Sequence, residues 1–487
     1  MASVGARTGS SPQTGAAGGT CGADAGLRAD ALGAALGGEL RAWCAIAVGS
    51  LAIAGVFAFL LALSRIPGIE TLFAWPLGFF HKGLVIHVVF SFVVWFLAVF
   101  GALLVIASHA VAGPAPRLAG LGQAATIGMA AALPLLFVPA LLDRGEASLN
   151  NYVPTIIDPI YYGGLFVMAV AMVLAVTRLM VNLPGRRAGK QPIVLAMAAC
   201  SAVYLVALIC FAMSYTLLAD QAPSYAFNEE LFWGGGHVLQ FLNTQMLIVA
   251  WAFLAGSALA PADSLRRAAM IATFFLAGVS LLGPWLYVIY PPFAAEQMLA
   301  FTNLQYALGP AVLGVALAIA ARFAKGDLPW RQPAFLCLTL SAALFMIGGA
   351  FGLFVDGTDT RTPAHYHGVI AAVTLAFMGL FYTLFLPALG RSPKPGKALR
   401  SQIFLFAGGQ IMACIGLFLA GGFGAPRKTA GAAQGLQDVG AMIGMAMNGI
   451  GALIAIIGGI MFIWIAAAAL LGAPRKGKAA IVNSLQP

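Results

Sequence analysis

Long apolar segments alternate with short polar connections along nearly the whole chain. About 20 apolar residues in a helix cover the hydrocarbon core of a bilayer, and twelve segments reach that length. Strands are too short for runs of this length, so we predict helices whose backbone groups pair internally. The predicted spans are residues 43–63, 84–112, 121–142, 157–182, 192–218, 231–258, 267–290, 295–323, 333–355, 364–389, 401–421 and 440–472.

Composition agrees with this all-α integral membrane fold. Of the 487 residues, 61% are hydrophobic and only 9% are charged, and a soluble protein could not cover so much apolar surface. Residues 1–40 are rich in Gly, Ala, Ser and Thr and predict a disordered cytoplasmic tail. Residues 41–474 are predicted to form one membrane domain, and residues 475–487 a short basic cytoplasmic tail.

The charged residues predict the topology of the twelve helices. Connections after even-numbered helices are rich in Lys and Arg, whereas connections after odd-numbered helices carry most of the acids. The positive-inside rule therefore places both termini in the cytoplasm. The net charge of +10 is explained by this bias, and we expect no nucleic-acid partner. Clear examples of the basic connections are Arg186, Arg187, Lys190, Arg391, Lys394, Lys397 and Arg400.

Four histidines lie at one predicted depth in the membrane. His87, His237 and the pair His365 and His367 occupy the first turns of helices 2, 6 and 10, which all run from outside to inside. At about 1.5 Å per residue, they lie within roughly 10 Å of the outer helix ends. A single membrane histidine is often a packing or proton-relay residue. Four at one depth favour ligands of haem iron or another redox metal.

The spacing of His365 and His367 predicts two sites. Successive helical residues turn by about 100°, so positions i and i+2 point in nearly opposite directions. One metal ion cannot easily be held by both, but two haems can flank helix 10. One haem would face helix 2 and His87, and the other would face His237. The six cysteines form no C-x-x-C pair, which argues against a thiolate zinc site and an attached c-type haem.

At these residues the chain resembles subunit I of the haem–copper oxidase superfamily, which includes the nitric oxide reductases. The run Phe232–His237 (FWGGGH) resembles the F-W-x-x-G-H motif at the start of helix 6. His365-Tyr366-His367 resembles the H-x-H of helix 10. Residues 424–428 (GAPRK) resemble the G-x-P-R-R segment between helices 11 and 12.

The resemblance implies a role for each histidine. His87 and His367 would be the axial ligands of a low-spin haem. His365 would be the proximal ligand of a high-spin haem, and His237 would hold a copper or non-haem iron facing it. His237 and His365 would then be the catalytic residues.

The resemblance also implies partners and a location. Arg427 and Lys428 would pair with haem propionates. Electrons would come from an external donor subunit or from quinol, pass through the low-spin haem, and reduce O₂ or NO at the second haem. We expect the protein in the lipid bilayer of a bacterial inner (cytoplasmic) membrane, as an oxidoreductase of the respiratory chain.

The sequence departs from the family where a second metal would be completed. The family has an adjacent His-His pair at the outer end of helix 7, but residues 287–297 contain no histidine. Phe241 stands where oxidases have a tyrosine after the helix 6 histidine. One imidazole does not hold copper firmly, and a mixed His/Glu site would suit iron better. Candidate oxygen ligands are Gln240, Tyr290 and Glu296.

Three functions therefore stay open on the sequence. The chain is a working oxidoreductase with an atypical second metal, or a divergent haem protein that does not reduce a gas. The missing His-His pair favours the second. The third is a twelve-helix secondary transporter, which would be expected to show an internal repeat and midplane charges, and neither is evident.

Overall fold

The computed structural model describes residues 20–64, 77–184, 191–260, 262–324, 328–355, 357–394, 396–429 and 431–473. Of the predicted tails, residues 1–19 and 475–487 lie outside this part. The first helix begins at Thr20 and runs to Ser64, so residues 20–40 of the predicted tail are helical. Alanine and leucine are frequent in that stretch, and both favour the helix.

The predicted count of twelve membrane helices is confirmed for the described residues. We number the spans α1–α12 in chain order. They are Leu36–Ser64, Phe79–Ala112, Ala119–Leu141, Pro159–Asn182, Pro192–Leu217, Tyr225–Ala258, Asp263–Ile289, Ala295–Phe323, Pro333–Gly352, Arg361–Ala388, Lys397–Gly422 and Val439–Leu471.

Short irregular elements interrupt or connect these helices. One antiparallel hairpin, β1 (Glu146–Ser148) and β2 (Thr155–Ile157), joins α3 to α4. A π-helical turn at Val89–Val94 lies within α2, and a second at Phe381–Phe385 lies within α10. Turns of 3₁₀ helix occupy Gln305–Ala307 and Gly431–Gln434.

Several helices begin earlier than the apolar pattern predicted. α6 begins at Tyr225 instead of residue 231, and α2 begins before residue 84. At α6 the reason is a cap, since the Ser224 hydroxyl accepts a hydrogen bond from the Phe227 backbone N–H at 3.1 Å. The first residues of α6 are therefore polar and precede the apolar run, so hydropathy does not indicate that they are helical.

The three histidine-bearing helices form the centre of the bundle. In their most apolar segments, 94% of the residues of α2, 83% of those of α10 and 72% of those of α6 are buried, whereas α8 has 22%. A helix that is apolar on all sides and surrounded by protein belongs to the core. The candidate ligands are thus carried by the interior helices and not by those facing lipid.

Aromatic side chains join α2 to α10. The Trp95 ring stacks on Phe381 with centroids 5.6 Å apart, and Phe96 meets Phe377 edge-on at 5.2 Å. Both contacts lie deeper in the bundle than the histidines. These aromatic contacts join α2 and α10 below His87 and His367.

A buried ion pair joins α1 to α4 at the bundle end where the chain enters α1, which we call the inner end. The Arg178 guanidinium donates two hydrogen bonds to the Glu39 carboxylate, and the two side chains are 4% and 14% exposed. Removing one member of a buried pair leaves the other charge uncompensated.

We therefore expect Arg178→Met to lower the free energy of unfolding by about 3–5 kcal/mol. The control is Arg266→Met, which removes an ion pair with Asp263 whose side chains are 61% and 78% exposed. Surface pairs contribute little, so the control should leave stability nearly unchanged. Unfolding of the purified protein in detergent measures both variants, and equal effects would contradict the prediction.

Candidate haem site at the outer end

His237 lies on α6 in an aromatic pocket. Its ring is buried, with 1% of the residue exposed. Nδ1 is 2.7 Å from the Trp233 carbonyl oxygen, one turn earlier on the same helix. The rings of Trp233 and Phe301 lie 4.8 Å and 6.0 Å from the imidazole centroid. Gln305 on α8 donates a hydrogen bond to the His237 carbonyl at 2.9 Å, which joins α8 to α6.

His87 lies on α2 and is held by α1. Its Nδ1 is 3.0 Å from the carbonyl oxygen of Ala54. The π-helical turn begins two residues later, and the Ser91 hydroxyl donates to the His87 carbonyl at 2.6 Å. Such single π turns inside α-helices are frequent at functional sites. The half-buried imidazole is thus oriented from a neighbouring helix.

His365 and His367 lie in the first turns of α10. The Nδ1 atom of His365 is 2.7 Å from the Gly348 carbonyl oxygen of α9. The His367 ring stacks on Tyr366 with centroids 5.1 Å apart. Both residues are half-buried. The two imidazoles therefore have different surroundings, as expected for positions i and i+2 of a helix.

His87, His237 and His365 share one hydrogen-bond pattern. A carbonyl oxygen can only accept, so Nδ1 of His87, His237 and His365 must carry the proton in each. In the neutral ring, Nε2 then carries the lone pair. Metal-binding histidines characteristically donate their other N–H to a carbonyl or carboxylate, which fixes the ring and raises its basicity. The pattern fits imidazoles prepared to bind through Nε2.

The connection between α11 and α12 carries the two cations Arg427 and Lys428. It lies against the β1–β2 hairpin and the start of α10. Arg427 approaches the Asn151 side-chain oxygen at 3.5 Å, and the Lys428 ammonium donates to the Leu149 carbonyl. The Thr360 N–H, just before α10, donates to the Ala425 carbonyl at 3.0 Å. Loop, hairpin and the start of α10 thus form one polar cap at the outer end of the bundle.

Lys428 is a partly buried cation of this cap. Burial, with a smaller contribution from neighbouring Arg427, lowers the pKa of Lys428 from 10.5 to about 8. A cation held at such a cost is stabilised when an anion approaches. The predicted propionate partners would supply that anion.

Tyr152 is the residue that sequence reasoning missed. It lies in the hairpin loop, and its hydroxyl is 2.7 Å from Nε2 of His237. In the neutral ring with the proton on Nδ1, the phenol donates and Nε2 accepts. Tyr152 and His237 are 85 residues apart in sequence, so no local pattern could pair them. The only signal was an aromatic residue in a long polar connection.

The side chains at this site are better suited to binding haem iron than to binding a second metal ion. For His87 and His365, the Nδ1 hydrogen bonds favour iron binding through Nε2. For His237, the corresponding nitrogen already accepts from Tyr152. In the described part of the chain, no group of three or more His, Cys, Asp or Glu side chains could hold a metal ion. The suggested substitute Glu296 is exposed at the start of α8.

The chain is similar to respiratory oxidase subunits. The family model for cytochrome c and quinol oxidase polypeptide I matches residues 40–461. A cytochrome c oxidase subunit 1 of Thermus thermophilus is 29% identical over 161 residues, covering 31% of this chain and 28% of that one.

Longer matches cover most of the chain. An uncharacterised protein of Aquifex aeolicus is 28% identical over 364 residues, which are 73% of this chain and 86% of the relative. An uncharacterised protein of Rickettsia prowazekii is 23% identical over 502 residues, covering 87% and 94%. A heme-copper terminal oxidase dimer solved by cryo-EM matches with a TM-score of 0.71 at 15% identity, over 91% of this chain and 86% of that one.

Proposed function

This chain belongs to the family of cytochrome c and quinol oxidase polypeptide I, and on that premise we propose that it carries electrons between two bound haems. His87 and His367 would ligate the first haem. His365 would ligate the second. The observation that carries the proposal is the orientation of His87 and His365 by main-chain carbonyls of neighbouring helices.

Haem would supply reversible one-electron chemistry at each site. The chain itself supplies orientation and charge. The Ala54 carbonyl sets the tautomer of His87, and the Gly348 carbonyl sets that of His365. A short path across α10 separates the two ligands His365 and His367. Positive charge on Arg427 and Lys428 would neutralise propionates at the outer rim.

We propose that the protein transfers electrons or acts as a sensor and does not reduce O₂ or NO at a pair of metals. The hydroxyl of Tyr152 on His237 supports this choice. Electrons would enter from an external donor subunit or from quinol. The transporter alternative is set aside because the chain belongs to an oxidase family.

Haem stoichiometry tests the proposal. The protein purified in detergent should show two haems per chain in a pyridine haemochrome assay, with one low-spin signal in the reduced-minus-oxidised spectrum. The same assay on an unrelated membrane protein prepared in parallel measures haem carried over from the host. A colourless preparation from haem-replete cells would refute the proposal.

A further inference from the structure

We propose that Tyr152 takes the place of a second metal, so that the site around His237 is a metal-free phenol–imidazole pair. This inference deepens the proposed function and rests on it, because it assigns the group facing the second haem. The hydrogen bond itself stands independently of haem. Four observations carry the inference.

The first observation is the direction of the hydrogen bond. Both nitrogens of His237 have protein partners, Nδ1 with the Trp233 carbonyl and Nε2 with the Tyr152 hydroxyl, each at 2.7 Å. With the proton of the neutral ring on Nδ1, Nε2 can only accept, and the Tyr152 phenol is the donor. A metal ion would have to displace it to reach Nε2.

The second observation is the backbone of the hairpin loop. Tyr152 has φ of +68°, a left-handed conformation that is costly for a bulky residue. Strain of this kind persists only where the surrounding structure fixes it, and it is concentrated at functional sites. Within the loop, the Asn150 side-chain amide donates to the Val153 carbonyl at 2.6 Å. The loop is thereby closed around Tyr152.

The third observation is the anchoring of the loop to α6. Glu229 accepts two hydrogen bonds from Asn151, one from its backbone N–H at 2.8 Å and one from its side-chain amide at 2.6 Å. Glu229 lies two turns before His237 on the same helix. The carboxylate thus positions the residue next to Tyr152 relative to the helix that carries the imidazole.

The fourth observation is the glycine that precedes His237. A Cβ atom at Gly236 would collide with Cβ and Cγ of Tyr152. Only glycine lets the tyrosine approach α6 closely enough to reach Nε2. The GGGH run resembles the oxidase motif whose histidine binds a metal. In this chain the same run leaves space for Tyr152, whose hydroxyl contacts Nε2 of His237.

The Tyr152 phenol and the His237 imidazole form a complete hydrogen-bonded pair without a metal ion. The phenol and imidazole share one hydrogen bond whose proton belongs to the phenol, and the site is neutral. Tyr152 also borders a cavity of about 20 Å³ between α2 and α6, where Gln240 and Asn243 add amide groups. A cavity of this volume holds one water molecule, which would meet hydrogen-bonding groups there.

Metal analysis gives the first test. In protein purified without chelators, copper and non-haem iron should each be at least tenfold less abundant than the chain. Stoichiometric copper or non-haem iron that disappears in His237→Gln would overturn the inference. Because haem is counted separately, this result can be told apart from a failure of the proposed function.

The second test observes His237 directly. We expect ¹⁵N NMR of histidine-labelled protein, reduced and treated with carbon monoxide, to show a neutral His237 protonated at Nδ1, assigned by its loss in His237→Gln. Tyr152→Phe should shift the Nε2 resonance of His237. Tyr162→Phe is the matched control, because this phenol donates to the Asn228 side-chain oxygen at 2.9 Å and not to a histidine.

Glycine substitutions extend the test without removing the phenol. Gly236→Ala should reproduce the Nε2 shift by displacing Tyr152. Gly256→Ala on the same helix has no heavy atom within 4 Å of the added methyl group and should leave the resonance unchanged. An unshifted resonance in a folded Tyr152→Phe variant would overturn the inference.

Discussion

Replacing His87 by alanine is expected to abolish the low-spin haem signal, and replacing His365 is expected to abolish a different one. Each imidazole is held by a carbonyl on another helix, Ala54 on α1 for His87 and Gly348 on α9 for His365. Alanine leaves neither an imidazole nor any other ligand atom at the substituted position. We expect haem content to fall from two to about one per chain in each variant.

Reduced-minus-oxidised and carbon monoxide difference spectra separate the two outcomes. His87→Ala should lose the low-spin bands, while the second haem stays able to bind carbon monoxide. His365→Ala should lose the carbon monoxide response and keep the low-spin bands. His81→Ala is the matched control, because it lies on α2 and is exposed. Intact spectra in both test variants would show that the ligand assignment is wrong.

Substituting Gly348 is expected to disturb the second haem from outside the ligand set. A Cβ at Gly348 would lie 2.7 Å from the Val369 backbone nitrogen and 2.9 Å from the carbonyl carbon of Gly368. Backbone atoms cannot rotate away, so α9 and α10 must separate. The Gly348 carbonyl that orients His365 would move with α9.

We expect Gly348→Ala to weaken binding of the second haem by about 10–100-fold, as loss of an orienting partner does at other metal sites. Forced separation of packed helices adds about 1–3 kcal/mol of destabilisation. Haem content of the second site, read from the carbon monoxide difference spectrum, measures the first effect. Thermal unfolding measures the second.

The neighbouring glycine provides the control. A Cβ at Gly349 would meet no heavy atom within 4 Å, so Gly349→Ala changes the same helix without a collision. It should retain both haems and full stability. Equal loss in Gly348→Ala and Gly349→Ala would show that the effect comes from the helix in general and not from the orientation of His365.

The twelve membrane spans could be predicted from the sequence, but their ends and contacts could be predicted less well or not at all. The twelve spans follow from apolar runs, because the bilayer demands helices of fixed length. Helix ends were less well predicted, since α6 is extended by the Ser224 cap into polar residues. The Gly348–Gly368 contact could not be predicted, because helices carry no sequence signal of which glycine meets which.

Three properties of this protein follow from its amino-acid sequence alone: it spans the membrane, it belongs to the family of oxidase polypeptide I, and it carries histidines on helices 2, 6 and 10. These properties depend on local hydropathy and short motifs. The hydrogen-bond partners of those histidines depend on the packing of the helices and loops in three dimensions. This packing brings Tyr152 to Nε2 of His237 from another part of the chain. Such a contact depends on the three-dimensional path of a loop, and hydropathy and spacing do not encode that path.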